Sequence, residues 1–328
     1  MSDSLVPALE EALRTCEDPS RIKALVLSNP HNPFARCYPE HVLTEAIHWC
    51  ADHRLHYISD EVYALSDFSR ESDTLSDHGH ARPEAQNIVN RVNGTAMESN
   101  SITPFVSALA LQLGADRIPP ISVIWSTSKD LGSSGFRMGV HVLRMRNSIL
   151  HDNSHTKEKR VAEEGPSLLT TSIGLLSTTQ LPTISMFLTH ALLTSNSFDA
   201  LVLKNRQRLY RHHSVVTRRL QNWGVPFIPA TSGPYLLAQL GILLKDGTGD
   251  KQGDFDSEGL NGTDLLRSKS GVSVATGKSF HMRGQSPQLD WVRITFAVPM
   301  DVLEDGLDRI EGAFNLREPR KPSVTSCK

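Results

Sequence analysis

Lys129 lies in the stretch Ser126-Thr127-Ser128-Lys129-Asp130-Leu131-Gly132-Ser133-Ser134-Gly135-Phe136-Arg137-Met138-Gly139, directly after the largely apolar run Ile121–Trp125. A run of that length and character predicts a buried strand, so the lysine falls just past a strand end. In open α/β sheets ligands bind outside the carboxyl ends of the strands. A lysine there can form a Schiff base with an aldehyde, which is nucleophilic catalysis. The glycines that follow let backbone approach a phosphate. Ser126 and Ser128 offer hydroxyls, and Arg137 offers a bidentate anion clamp. The same segment also reads as a solvated lysine beside a glycine-rich turn.

Three further segments carry residues of this kind. In Ile58-Ser59-Asp60-Glu61-Val62-Tyr63, Asp60 ends a predicted strand. A carboxylate facing a pyridine nitrogen would keep that nitrogen protonated and make the ring an electron sink. Tyr63 could donate to a phenolic oxygen on such a ring. Asp-Glu is equally a helix start, with Asp as N-cap and Glu in the first turn. Asn29-Pro30-His31-Asn32-Pro33 is a loop at another predicted strand end, stiffened by its prolines, from which an amide can point into a site; it also reads as a plain tight turn. In Trp291-Val292-Arg293-Ile294-Thr295-Phe296-Ala297 an arginine interrupts an apolar strand. A buried arginine needs an anion, either a substrate carboxylate or a structural Asp or Glu.

The elements that must position these residues follow from the pattern. Residues 3–17 predict a short amphipathic helix, Ala24–Ser28 a buried parallel strand, Glu40–His53 a helix and His56–Ser59 a strand. Strand, loop, helix, strand is a βαβ unit. Residues 69–103, rich in Ser, Asp, His, Asn and Glu, predict a long surface insertion. Phe105–Leu113 predicts a helix, and Ile121–Trp125 and Met138–Leu143 predict strands. The segment Ser167–Trp223 reads as helical, with one long Arg-dotted amphipathic stretch at about Phe198–Leu220. Beyond it the pattern becomes α+β. Strands are expected at Tyr235–Leu240, Val272–Ala275 and Trp291–Phe296, a helix near 262–268, a Gly/Asp loop at 246–262, a final helix at Met300–Phe314 and a tail from Glu318. The predicted division is a partial large domain over 1–195, then an interdomain helix and small C-terminal domain over 196–328.

Taken together and in this order, the four segments resemble the pyridoxal-phosphate (PLP)-dependent aminotransferases of fold type I, class I/II. The nearest resemblance is to the branch that includes 1-aminocyclopropane-1-carboxylate (ACC) synthase. That branch reads N-P-x-N-P, D-E-x-Y, S-x-S-K-D-x-G-x-x-G-x-R-x-G and W-x-R-x-x-F-A, and all four occur here between residues 24 and 297. The resemblance implies a PLP-binding α/β large domain with a mostly parallel sheet and an α+β small domain. It implies Lys129 as the Schiff-base and proton-transfer lysine and Asp60 as the partner of the pyridinium nitrogen. Tyr63 and Asn32 become donors to the ring O3′ oxygen, Ser126 and Arg137 phosphate ligands, and Arg293 the substrate carboxylate clamp. Ser279-Phe280-His281 resembles a small-domain segment of the same branch. The implied activity is transamination of an amino acid, with a 2-oxo acid as acceptor, in a homodimer. An ACC-synthase-like or C–S lyase reaction stays open, as does a catalytically impaired family member.

Three departures accompany the resemblance. Family members carry a long segment before the N-P-x-N-P loop, whereas Asn29 stands near the start here. The chain therefore reads as N-terminally truncated, without the glycine phosphate loop, the ring-stacking aromatic and a tyrosine lent to the neighbouring subunit. Residues 69–103 are extra length between Asp60 and Lys129. Ala35 stands where the family carries Gly.

Composition narrows the alternatives. Hydrophobic residues make up 39% and charged residues 21% of the 328, an ordinary globular balance. Lys and Arg number 34 against 36 Asp and Glu, a formal charge of −2 that gives no reason to expect nucleic acid or an anionic membrane as partner. The Arg-rich stretch Lys204–Arg219 therefore reads as a solvated helix face rather than a nucleic-acid patch. Cys16, Cys37, Cys50 and Cys327 lack metal-ligand spacing, and His78/His80 and His212/His213 lack acid partners at ligand spacing, so no metal is expected. A reduced, cytoplasmic setting fits these cysteines. Gly247-Thr248-Gly249 lacks the dinucleotide fingerprint, which argues against a dehydrogenase. The Asn-Gly-Thr triplets at Asn93 and Asn261 read as turns.

Overall fold

The computed structural model describes residues 5–69, 103–114, 118–144, 174–175, 181–244, 262–280 and 291–316. The bulk of the predicted insertion, all but the last residue of the loop at 246–262 with Gly247-Thr248-Gly249, His78/His80, His281, Asn93, Asn261, Cys327 and the tail from Glu318 lie outside the described residues. The chain divides into two compact units. The first comprises Met1–Pro30, Tyr38–Ala64 and Phe105–Ala200, the second His31–Cys37, Leu65–Pro104 and Leu201–Lys328.

In the first unit, α1 (Leu5–Arg14) precedes β1 (Ala24–Ser28), α2 (Glu40–Asp52) and β2 (His56–Asp60). Next come β3 (Ile121–Ser126), the one-turn α3 (Thr127–Asp130), β4 (Gly139–Arg144) and α4 (Thr183–Leu193). The strands form one sheet in the order β1-β2-β3-β4, with β1, β2 and β3 parallel and β4 antiparallel to β3. In register, Ser28 lies opposite Asp60 and Asp60 opposite Ile124, so β1, β2 and β3 end side by side.

α2 forms because Val42, Leu43, Ala46, Ile47 and Cys50 recur at helical spacing, and all are buried. Removing side chains such as Leu43 and Ile47 from water stabilises the fold by about 2 kcal/mol each. The helix ends in a Schellman motif without glycine. Arg54 takes φ 58°, the Leu55 N–H donates to the Cys50 carbonyl at 2.8 Å, and Arg54 N–H donates to Ala51 at 3.2 Å. Leu55 is buried beside that turn, which anchors the entry to β2.

Side chains alternate across a strand, so Leu25, Leu27, Tyr57, Ser59, Ile121 and Val123 face one way. They join α2, with Leu5, Leu9 and Leu13 of α1 packed at the margin, in a single hydrophobic core. The opposite face carries Val26, Ile58, Asp60, Ser122, Ile124 and His141, and is open: Val26 is 61% and Ile124 40% exposed.

The predicted helix at Phe105–Leu113 is not formed; the segment is irregular with short turns. Its backbone groups bond sideways instead. The Val106 carbonyl accepts from the Asn29 side-chain amide at 3.1 Å, and the Ala108 N–H donates to the Glu61 carboxylate at 2.9 Å. Ala108 and Leu111 are still buried in the core, which is why the segment is apolar.

The second unit holds most of α5 (Phe198–Asn222), then β5 (Phe227–Ile228), β6 (Tyr235–Ala238), α6 (Gly262–Ser270), β7 (Ala275–Thr276), β8 (Val292–Thr295) and α7 (Met300–Ala313). Its strands form an antiparallel sheet in the order β5-β6-β8-β7. Of the expected strand Val272–Ala275 only Ala275 pairs, together with Thr276. In the Arg-rich stretch of α5, Lys204, Arg208, Arg211 and Arg218 are exposed, as a solvated face requires, while two arginines are engaged within the unit. Arg206 donates to the Leu65 carbonyl at 3.0 Å, and Arg219 bridges Asp308 and Glu311 of α7. The architecture is thus α/β with a mostly parallel sheet, followed by an α+β unit, as the sequence pattern predicts. Among the described residues no helix is long and apolar enough to cross a membrane, and no cluster of three His, Cys, Asp or Glu could hold a metal.

Candidate active site

In the first unit, β2 ends in Asp60 and the neighbouring β3 ends in Ser126, with Lys129 three residues on. Asp60 is half-buried, and its Oδ1 lies 3.4 Å from the Val62 N–H. The alternative reading of Asp60 as the cap of an α-helix is not met: a turn at Val62–Tyr63 leads into the single 3-10 turn Ala64–Ser66, with the Ala64 N–H on the Glu61 carbonyl at 2.9 Å. Glu61 turns inward, is 4% exposed and accepts from the Ser59 hydroxyl and the Ala108 N–H, each at 2.9 Å. The paired acids therefore divide, one facing open space and one bracing the core. Tyr63 is buried.

Ser126 caps α3, its Oγ accepting from the Ser128 N–H at 3.1 Å and donating to the Met138 carbonyl at 2.8 Å. The two ends of the glycine-containing loop are tied together by this one hydroxyl. Within the loop, Leu131 and Ser133 both donate to the Thr127 carbonyl, and Gly132 supplies the φ of 62° that this turn requires. The buried Asp130 accepts from Trp125 Nε1 at 2.9 Å, which fixes the base of the turn. Lys129, on the same turn, is exposed and has no hydrogen-bond or ion-pair partner among the described residues. Arg137 is exposed and left-handed, with Nη1 on the Ser134 carbonyl at 3.0 Å.

In the second unit, the distant motifs meet. Arg293 Nη1 donates to Asn32 Oδ1 at 2.9 Å, and its guanidinium carbon lies 4.7 Å from the ring centres of both Tyr235 and Phe280. Asn32 is exposed, and with its oxygen engaged the amide nitrogen is left as donor. Asn29, by contrast, is fully buried and spent on structure, accepting from the Tyr38 N–H and donating to Val106. Both Asn-Pro bonds of the loop are cis. Ala35, at the family's glycine position, has φ 53°. Its N–H donates to the His31 carbonyl at 2.7 Å, and its own carbonyl accepts from Thr231 and Ser232.

Cysteine chemistry is not available at neutral pH in the cores, because burial pushes the Cys37 and Cys50 thiols up to about 12. Sequence reasoning missed Glu61, Tyr235 and Gly277 as participants. The signal for Gly277 was a glycine two residues past the predicted strand Val272–Ala275, where a turn with close backbone approach is one explanation.

A profile of the family described as aminotransferase class I and II matches residues 5–310. The chain belongs to that family. It is 31% identical over 314 residues to the probable aminotransferase aclI of Aspergillus oryzae, covering 95% of this chain and 60% of that protein. It is 22% identical to 1-aminocyclopropane-1-carboxylate synthase 7 of Arabidopsis thaliana, covering 94% of this chain and 57% of that protein. An aromatic aminotransferase from Pyrococcus horikoshii OT3 superimposes with a TM-score of 0.60 at 17% identity, over 94% of this chain and 63% of that structure. That likeness establishes the fold. The chain spans about three fifths of the length of the curated relatives it matches.

Proposed function

We propose that this chain acts as a PLP-dependent aminotransferase on an amino acid, with a 2-oxo acid as acceptor. The observation that carries the reading is the exposed amine of Lys129, without a hydrogen-bond or ion-pair partner among the described residues, just past the carboxyl end of β3 and next to the strand that ends in Asp60. The chemistry of the donor set supports this group: an exposed amine past one strand end and a half-buried carboxylate at the end of the neighbouring strand. Lys129 would hold it through its amine, Asp60 would face the ring nitrogen, and Tyr63 with the Asn32 amide would donate to the ring O3′. Arg137 and Ser126 would hold the phosphate, Ser126 by exchanging its bond to Met138. When bound, PLP supplies a protonated pyridine ring that takes up the electron pair left at the substrate Cα. Lys129 would remove the Cα proton and, for transamination, deliver it to C4′. Arg293 would hold the α-carboxylate through charge-assisted hydrogen bonds. A homodimer in the cytoplasm is part of this proposal.

The second reading is elimination rather than transamination. The motif set that resembles the ACC synthase branch, together with that enzyme's presence among the relatives, favours it. The test is uptake of PLP by the purified chain, followed by borohydride reduction and peptide mass analysis. The expected result is a pyridoxyl mass on Lys129, absent in Lys129→Ala. Incubation with an amino acid and a 2-oxo acid then separates transfer of the amino group to a new amino acid from release of the side-chain leaving group. A chain that takes up no PLP would overturn the enzyme reading and leave a catalytically impaired family member.

A further inference from the structure

We infer that Tyr235 and Phe280 are positioning residues for Arg293, holding its guanidinium so that one edge alone is presented to a carboxylate. The inference deepens the carboxylate role given to Arg293 above and rests on it. β8 is an inner strand of its sheet, and Arg293 pairs with Leu237 on one side and Ala275 on the other. Neither neighbour can pair with a charge. Tyr235 stands two residues from Leu237 on β6, hence on the same sheet face, and its ring lies under the guanidinium at 4.7 Å. The Phe280 ring lies at the same distance. Contacts of a guanidinium with aromatic faces are attractive and strengthen as water is excluded.

The hydrogen-bonding capacity left over defines the edge. Nη1 gives one N–H to Asn32, and Nε is buried with no hydrogen-bond partner among the described residues. No carboxylate pairs with Arg293 among the described residues. The donors free for an anion are those of Nη2 and the second N–H of Nη1. A carboxylate would therefore engage the tip of the fork rather than its Nε side.

Phe280 reaches its place through Gly277. The Gly277 N–H donates to the Trp291 carbonyl at 2.7 Å, and a Cβ there would lie 2.5 Å from that same oxygen. Only glycine allows the turn Gly277–Phe280 to sit this close to the residue that precedes β8.

The test is titration of the full chain, without cofactor, by acetate, followed through the Arg293 Nε–H resonance in NMR and through thermal melting. The expected result is saturable acetate binding that is lost in Arg293→Ala. It should weaken by about tenfold in Phe280→Leu, on the scale of one well-desolvated cation–π contact, with an unchanged melting temperature. Phe280→Tyr, which keeps the ring, restores the parent affinity. Tyr235→Leu serves as the second variant, and Phe280→Leu alone suffices if the buried Tyr235 position does not tolerate the change. Equal acetate affinity in the parent and Phe280→Leu overturns the inference, and so does weakening of equal size in Phe280→Tyr. Absence of Arg293-dependent acetate binding in the parent overturns it as well. Because no PLP is present, each outcome is independent of whether Lys129 is labelled.

Discussion

Glu61 accepts the Ala108 backbone N–H at 2.9 Å, joining the turn after β2 to a segment 47 residues further along the chain. With the Ser59 hydroxyl on the same oxygen, the carboxylate satisfies two donors that are otherwise sealed in the core. Replacing it with leucine strands both, and the expected loss in denaturant unfolding is about 2–4 kcal/mol. Glu61→Gln keeps the acceptor oxygen and costs about 1 kcal/mol. Burial holds the Glu61 carboxyl above its ordinary range, with hydrogen bonds from Ala108, Ser107 and Ser59 opposing in part. A carboxyl raised in the folded state stabilises most at low pH, and that contribution is lost as pH rises through the raised value. The Gln variant cannot ionise, so its deficit relative to the parent should shrink between acid and neutral pH. A deficit that widens with pH would contradict this.

Ala35 occupies a left-handed backbone position that costs a residue with a Cβ about 1–2 kcal/mol. Ala35→Gly relieves that strain. The change also loses a buried methyl worth about 0.8 kcal/mol and about 0.5 kcal/mol of unfolded-state entropy. The expected net change is within about 0.5 kcal/mol of zero. Ala46→Gly, equally buried but inside α2, has no strain to relieve and should lose about 2 kcal/mol from methyl and helix propensity together. Matched denaturation curves of the two variants test the contrast, and equal losses would show that the loop carries no strain at this position.

These two residues also show how far the sequence could be read. β1 was legible to its last residue because the uninterrupted apolar run Ala24–Ser28 meets Asn-Pro, where neither helix nor strand continues. The left-handed site at Ala35 was visible only as a departure from the family's glycine. Glu61 read as a helix-start acid because its partner, Ala108, is a backbone group, which no side-chain pattern encodes. The same long-range bonds explain the misread segment 105–113: its apolar residues serve the core without a helix because its backbone is claimed from outside. Arg293 was legible as a charge set inside an apolar strand. Its contacts with Asn32, Tyr235 and Phe280 were not, since they depend on strand register and on the close approach of Gly277.

His213 sits in the second unit with its ring 5.5 Å from Phe68 and 5.7 Å from Phe296, and Nε2 accepts the Ala230 N–H at 3.4 Å. Burial lowers its pKa to about 4. The unfolded state, with an ordinary imidazole near 6.5, then binds a proton before the folded state does. Stability from the neutral ring is complete above about pH 6.5, falls as pH drops toward 4, and is gone below. The whole window amounts to about 3 kcal/mol. His213→Leu, compared with the parent by urea unfolding from pH 7 to pH 4, should show a flatter profile by that order. The opposite drift set by Glu61 is common to both chains and cancels in the difference. Parallel profiles would mean that the imidazole is accessible to protons in the folded state.

Asp60 and Lys129 are expected to separate into two roles when changed singly. Lys129→Ala removes the amine, so reductive labelling by PLP at position 129 should vanish together with turnover. Asp60→Asn keeps the shape and leaves the amine of Lys129 in place just past the neighbouring strand end. Covalent capture at Lys129 should therefore persist. What is lost is the negative charge that the proposed role requires beside the ring nitrogen. Turnover should fall by about 10²–10³-fold, the order seen when one preorganised electrostatic contact to developing charge is removed. If Asp60→Asn abolished labelling and left turnover untouched where PLP is supplied in excess, the carboxylate would be a binding contact alone, and its assignment to the ring nitrogen would fail.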